Sequence, residues 1–147
     1  MTIRPAVASD LDAIQALDGE VFGADAWSAL AWQGEWDRVP DTRHLIVAVE
    51  AVGVVGFAVL SAVADIADLH RVAVASDRRG HGIGAALVEA VAAEARRRGC
   101  ERMLLEVEAT NGSAIALYER LGFVEIARRD AYYGPGRNAL VMQRRLT

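Results

Sequence analysis

The residues Arg79-Gly80-His81-Gly82-Ile83-Gly84 hold the clearest chemical promise in the chain. An apolar run from Leu69 to Val74 leads into them, and an alanine-rich helical pattern follows. Strand, glycine-rich turn and helix in that order leave backbone N–H groups unpaired at the positive end of a helix dipole. With no Cβ on the glycines, a ligand can come close to that backbone. The turn therefore suits a phosphate or pyrophosphate. Elsewhere, Glu106, Tyr118, His70 and Cys100 are the side chains able to move a proton or carry an acyl group. Each also has a plain structural reading. Glu106 shares a strand face with Glu108, as solvated carboxylates do, and Tyr118 fits a half-buried core position. His70 fits a satisfied structural histidine. Cys100 follows the helix-ending Gly99 and reads as packing, so acyl transfer through a cysteine is not expected.

The elements that must position these residues follow from periodicity and turn chemistry. Ile3 to Val7 reads as a strand, and residues 10–22 as an amphipathic helix with Ser9 at its cap. Ser28 caps a second, shorter helix carrying Trp32 and Trp36; with Trp27 these tryptophans form core or wall a cleft, core being the default. Strands at His44 to Val49, Val54 to Ala62 and Asp65 to Val74 have short connections, so they form an antiparallel meander. Ile83, Leu87, Val88, Val91 and Ala95 give the next helix a buried stripe; its end, Arg96-Arg97-Arg98-Gly99, reads as a solvated cationic terminus. Met103 to Val107 is then parallel to the strand before the glycine turn, because a helix intervenes. A helix along Ala114, Leu117, Tyr118 and Leu121 precedes a last strand pair, Phe123 to Arg129 and Ala139 to Arg145, joined by a loop containing Tyr132 and Tyr133.

Composition narrows the function classes. A length of 147 residues argues for one domain, 1–147, with 53% hydrophobic residues to build a core. The single cysteine excludes an internal disulfide, and three scattered histidines show no metal-ligand spacing, so no metal is expected. A formal net charge of −4 gives no basic footprint for nucleic acid. Met1 to Pro5 lacks the apolar core of a signal peptide, and Leu45 to Ala64 imitates a membrane span but breaks at Glu50-Ala51-Val52-Gly53 like a buried hairpin. No membrane partner is expected, and the location expected is cytoplasmic.

The glycine turn has two readings. Gly80-x-Gly82-x-x-Ala85, with Glu106 about 20 residues on, matches a dinucleotide-binding fingerprint. Against it, Ala75 to Arg79 separate turn and strand, the preceding strands look antiparallel, and too little chain follows for a doubly wound fold. The other pattern is Arg/Gln-x-x-Gly-x-Gly/Ala, filled by Arg79, Gly82 and Gly84. Together with Val72-Ala73-Val74, Leu105-Glu106-Val107, Asn111, Ala114, Leu117-Tyr118 and Leu121-Gly122-Phe123, it resembles the GNAT superfamily of N-acetyltransferases over nearly the whole chain. The Trp27-Ser28 pair, the Asn111 to Phe123 helix and Arg128-Arg129 before Tyr132-Tyr133 are most similar to ribosomal-protein-alanine N-acetyltransferases of the RimI type. Arg71 departs from that pattern, where a small polar residue is common, as does Gly134-Pro135-Gly136.

The resemblance implies an α/β fold: a mixed sheet of about seven mostly antiparallel strands, split between the fourth and fifth, with about four helices. It implies acetyl-CoA as cosubstrate. Backbone groups of Arg79, Gly80, His81, Gly82, Ile83, Gly84 and Ala85 would hold the pyrophosphate, while the Val72-Ala73-Val74 strand and Asn111 would pair with the pantetheine arm. Glu106 is then the expected general base, buried among apolar residues because an ordinary carboxylate is too acidic for the work. Tyr118 is the expected acid at the thiol, beside the cofactor. Trp27, His70, Tyr132 and Tyr133 would line the acceptor groove, with Asp25, Asp37 and Asp41 near one wall suiting a cationic peptide start. The acceptor implied is a protein N-terminus, by resemblance that of the eighteenth small-subunit ribosomal protein. A small amine is the alternative, and a non-catalytic acyl-CoA-binding module a further one. The chain is expected to be a monomer or weak homodimer.

Overall fold

Short connections and alternating apolar residues produce four antiparallel strands in sequence: β1 (Thr2–Pro5), β2 (Arg43–Glu50), β3 (Gly53–Val63) and β4 (Ile66–Val74). The computed structural model describes residues 1–147. After helix α3 (Ile83–Arg97), β5 (Arg102–Glu108) lies parallel to β4, as a helical crossover requires. Helix α4 (Gly112–Arg120) leads to β6 (Val124–Arg129) and β7 (Ala139–Arg145), giving one seven-stranded sheet in the order β1-β2-β3-β4-β5-β7-β6. β2 and β3 are buried on both faces along their centres, so the apolar stretch from Leu45 is a hairpin. No helix is long and apolar enough to cross a membrane.

Helices cover both faces. α1 (Leu11–Phe22) and α2 (Ala29–Trp36) pack Ile14, Leu17 and Trp32 on Val47, Phe57 and Val59 of one face. On the other, Leu87, Val88 and Val91 of α3 meet Met103 and Leu105, with Tyr118 and Phe123 behind them. Each fully buried side chain of this size contributes about 1.5–3 kcal/mol.

The feature that matters for function lies between β4 and β5. Their pairing covers only Ile66 to Asp68 against Arg102 to Leu104, and then the strands part. The cause is visible one strand away. Val59 pairs with Arg71 and Leu60 with Leu69, so His70 is an extra residue in β4. Such a bulge bends its strand and re-aims side chains. His70 and Arg71 accordingly both meet partners on the α1–α2 side, Glu35 and Asp18.

Three local expectations are corrected. Ser9 does not cap α1: residues Ala8–Asp10 form a 3₁₀ turn, and it is Asp10 that accepts from the Val7 N–H at 2.8 Å while pairing with Arg4. A carboxylate accepts from both and adds the ion pair to Arg4, which a neutral hydroxyl cannot. The arginine run is not simply solvated: Arg97 and Arg98 both clamp Glu94, and Arg96 Nε donates to the Leu146 carbonyl. The tryptophans do not act as one group. Trp32 is fully buried, whereas Trp27 reaches the surface of a cavity.

Candidate active site

That cavity, of about 1160 Å³, occupies the gap between β4 and β5 and continues onto both faces of the sheet. One bank is built mainly from backbone. Gly80 and Gly82 have φ of +79° and +77°, the left-handed region that side chains with a Cβ avoid. With the turn so folded, no backbone N–H from Arg79 to Ala85 donates to a protein acceptor; the first that does is Ala86, to Gly82. The His81 side chain turns its Nδ1 back to the Arg79 carbonyl at 3.0 Å, and His81 is the one residue from Arg79 to Ala85 that does not line the cavity. The Ala75 N–H donates to Val55 on β3. By the alternation of an antiparallel ladder, Ala73 also points its backbone groups to β3, and Val72 and Val74 point theirs into the gap. Asn111 caps α4, its Oδ1 accepting from the Ala114 N–H at 3.2 Å, which leaves its amide N–H groups for a ligand. Tyr118, on α4, is buried, and its hydroxyl has no protein partner but lies on the cavity wall. Desolvation by burial pushes its pKa up to about 12, so the phenol keeps its proton at neutral pH.

The other bank is built from charged and aromatic side chains on the α1–α2 side. Glu106 and Glu108 project there from β5, while their neighbours Leu105 and Val107 face α3 and α4. Glu106 and Tyr118 thus reach one cavity from opposite faces of the sheet. The expected burial of Glu106 is not found: its side chain is 35% exposed and lies 3.4 Å from Arg129. The parted strands open this strand face to solvent rather than closing it. His70 is held at 3.1 Å from Glu35 and still lines the cavity. At Glu35, burial pushes the carboxyl pKa up, but hydrogen bonds from His70 and Arg43 outweigh it and leave the group more acidic than usual. Tyr132 and Tyr133 pack edge-to-face at 5.0 Å, and burial, with Tyr132 and the two glutamates nearby, pushes Tyr133 up to about 12. Asp25 lies on the cavity wall, but Asp37 and Asp41 do not: Asp37 is bound by Gln33, and the Asp41 carbonyl by Arg98.

Sequence reasoning missed the connections on this bank. Arg137 bridges Asp25 and Glu108, with 2.8 Å to each. Its hydrogen bonds hold both carboxyls below their ordinary pKa range. Arg71 pairs with fully buried Asp18 at 2.7 Å and stacks between Phe22 and Trp27. Asp25 and Arg137 are 112 residues apart, and no short-range pattern could have joined them.

A free-amide cradle beside an open strand edge, with a protonated phenol across the gap, is the geometry against which relatives can be judged. Residues 10–123 match the model of the acetyltransferase (GNAT) family. The chain belongs to that family. Over 77 residues it is 46% identical to a [Ribosomal protein bS18]-alanine N-acetyltransferase of Escherichia coli (strain K12), a match covering 52% of each chain. The chain thus spans about half the length of the curated relatives it matches. Among solved structures, the ribosomal-protein-S18-alanine N-acetyltransferase from Escherichia coli superposes with a TM-score of 0.87 at 29% identity, over 99% of this chain and 94% of that one. A chain of the NatC complex bound to Gag peptide and CoA superposes with a TM-score of 0.84 at 25% identity, over 99% and 98%. This GNAT chain has the sheet order and the split that the resemblance implies.

Proposed function

We propose that residues 1–147 act as one acetyltransferase domain that moves the acetyl group of acetyl-CoA onto the α-amine of a protein N-terminus. The observation that carries the reading is a cavity passing through the sheet, with unpaired turn amides at one end, a carboxylate on one face and a protonated phenol on the other. Donor and acceptor can therefore approach the same point from opposite sides.

In this reading the N–H groups from Arg79 to Ala85 bind the pyrophosphate of acetyl-CoA. Val72 and Val74 pair with the pantetheine amides, which need partners in a narrow slot. The neutral amine attacks the thioester carbonyl carbon, a nitrogen–carbon bond forms and the carbon–sulfur bond breaks. Glu106 takes the amine proton through a water, and Tyr118 gives its proton to the departing thiolate. A backbone N–H on the open edge of β4 steadies the oxyanion. Trp27, His70, Tyr132 and Tyr133 border the acceptor. An α-amine is favoured over a lysine side chain because its pKa, about 8 rather than about 10.4, leaves more of it neutral at pH 7.

By similarity to the relatives above, the proposed acceptor is the N-terminal alanine of the eighteenth small-subunit ribosomal protein, modified in the cytoplasm. The test compares ribosomal-protein N-termini by mass spectrometry with and without the protein, beside a thiol-release assay offering peptides and small amines. Acetylated α-amines are expected. Thiol release with small amines alone would replace the acceptor, and no release with any amine would leave an acyl-CoA-binding module.

A further inference from the structure

We propose that Arg71 decides which first side chain an acceptor N-terminus can carry: its guanidinium, clamped between Phe22 and Trp27, floors the acceptor pocket and restricts it to small residues. The inference rests on the N-terminal reading above and names the substrate class within it.

The position of Arg71 along the proposed donor path supports this. A pyrophosphate held at Arg79 to Ala85 sends the pantetheine arm back along β4, past the open backbone groups of Val74 and then Val72. The next residue is Arg71, so the thioester end of the arm arrives beside it. The bulge at His70 turns the Arg71 side chain to the α1–α2 face, from which the acceptor comes. There its guanidinium carbon lies 3.9 Å from the centre of the Phe22 ring and 4.6 Å from that of Trp27. All three residues line the cavity, and the Arg71 side chain is only 12% exposed.

The floor is fixed rather than mobile. Arg71 Nη1 donates to Asp18 at 2.7 Å, and Nη2 donates to the Asp25 carbonyl at 3.0 Å. Asp18 has no exposed surface and also accepts from the Trp27 N–H at 2.8 Å and Trp32 Nε1 at 3.1 Å. Swinging Arg71 aside to admit a large side chain would strand that buried carboxylate without its cation, a costly state. The same contacts tie β4 to the turn after α1, so the pocket wall and its floor move together.

The experiment measures kcat/KM with peptides identical except for the first residue, alanine or leucine. Wild type should favour alanine. Arg71→Ser alone would leave Asp18 unpaired, so the variant is D18N/R71S, which removes both charges and opens the floor. It should shift the leucine-to-alanine ratio toward leucine by about tenfold or more, the scale of discrimination a few methylenes provide. Thermal melting and acetyl-CoA affinity report its folding. D18N/R71M, which removes the same charges but keeps the bulk, should keep the wild-type ratio. If D18N/R71S does not fold, Phe22→Ala removes one clamp from a half-buried position and should shift the ratio in the same direction. An unchanged ratio in a folded opened variant overturns the proposal, as does a wild type that accepts leucine as well as alanine. A wild type that ignores every peptide yet acetylates small amines removes the N-terminal reading itself, and the pocket assignment with it.

Discussion

The two banks of the split are made of different material. On the α3–α4 side the available groups are backbone amides, and they are uncommitted: no N–H from Arg79 to Ala85 has a protein acceptor. On the α1–α2 side they are side chains, and nearly all are committed: Asp18 to Arg71, Asp25 and Glu108 to Arg137, Glu106 to Arg129, Glu35 to His70. A backbone cradle depends on a few φ angles and binds one kind of group, a phosphate. A lattice of ion pairs can be re-cut by single substitutions. Substitutions are therefore expected to alter acceptor preference on the side-chain bank more readily than donor preference on the backbone bank.

If the division is right, changes on each bank should separate in kinetics. The largest effect is expected from Tyr118, the one side chain on the backbone-rich bank with a chemical part. Tyr118→Phe should lower kcat by about 10²–10³-fold, the usual weight of a positioned acid, with acetyl-CoA affinity retained. Stopped thiol-release assays beside calorimetric titration check both halves, and an unchanged kcat removes Tyr118 from the mechanism. Its raised pKa also carries a sign. The folded phenol titrates near 12, above its ordinary 10, so the stability it contributes is present below pH 10 and lost as pH rises toward 12. The Y118F variant should lack that alkaline loss in thermal melts. Glu106→Gln comes next, at about 10–10² in kcat. Because Glu106 is exposed, part of its role can be taken by solvent, which is why the smaller figure is expected.

The same division explains what was legible in the chain. The backbone part of the donor bank is local: a strand, a turn with glycines at two positive-φ positions, and a helix, all within residues 66–97, to which α4 and its cap add Asn111 and Tyr118. The sheet order and the split could be anticipated because Arg79, Gly82, Gly84 and the Asn111 to Phe123 helix carry the family pattern. Ser28 was readable as a cap because its hydroxyl needs only the amide three residues on, Ala31. The acceptor bank was not readable. Whether Asp25 is free to meet a cation depends on Arg137, and whether Glu106 is buried depends on how far β4 and β5 part. Both are set by tertiary geometry that no period in the sequence encodes.

A sharper probe of the backbone cradle is Gly82→Ala. A Cβ there would meet nothing within 4 Å, so the only cost is the left-handed φ of +77°. That strain is worth about 1–2 kcal/mol, which predicts acetyl-CoA binding weaker by about tenfold if the turn relaxes away from its present shape. The acceptor KM should not move. An acceptor KM that rose together with donor affinity loss would show that the two banks are coupled through the turn, and the comparison would fail.

The smallest effect is expected where the side-chain bank is most exposed. Arg137→Gln releases Asp25 and Glu108 from their shared cation and frees two carboxylates on the acceptor side. Surface ion pairs stabilise weakly, so melting should change little, but the KM for a cationic acceptor peptide should fall a few-fold as the carboxylates become available. The pH dependence gives the sharper reading. Arg137 hydrogen bonds lower the pKa of Asp25 and Glu108, so their contribution to stability is present above the ordinary carboxylate range and lost as pH falls through the depressed values. The melting difference between wild type and R137Q should therefore be largest near neutrality and shrink in acid. A difference constant with pH would mean that Arg137 acts by packing on Tyr133, with its guanidinium carbon 5.9 Å from the ring centre, and not as the cation between two loops.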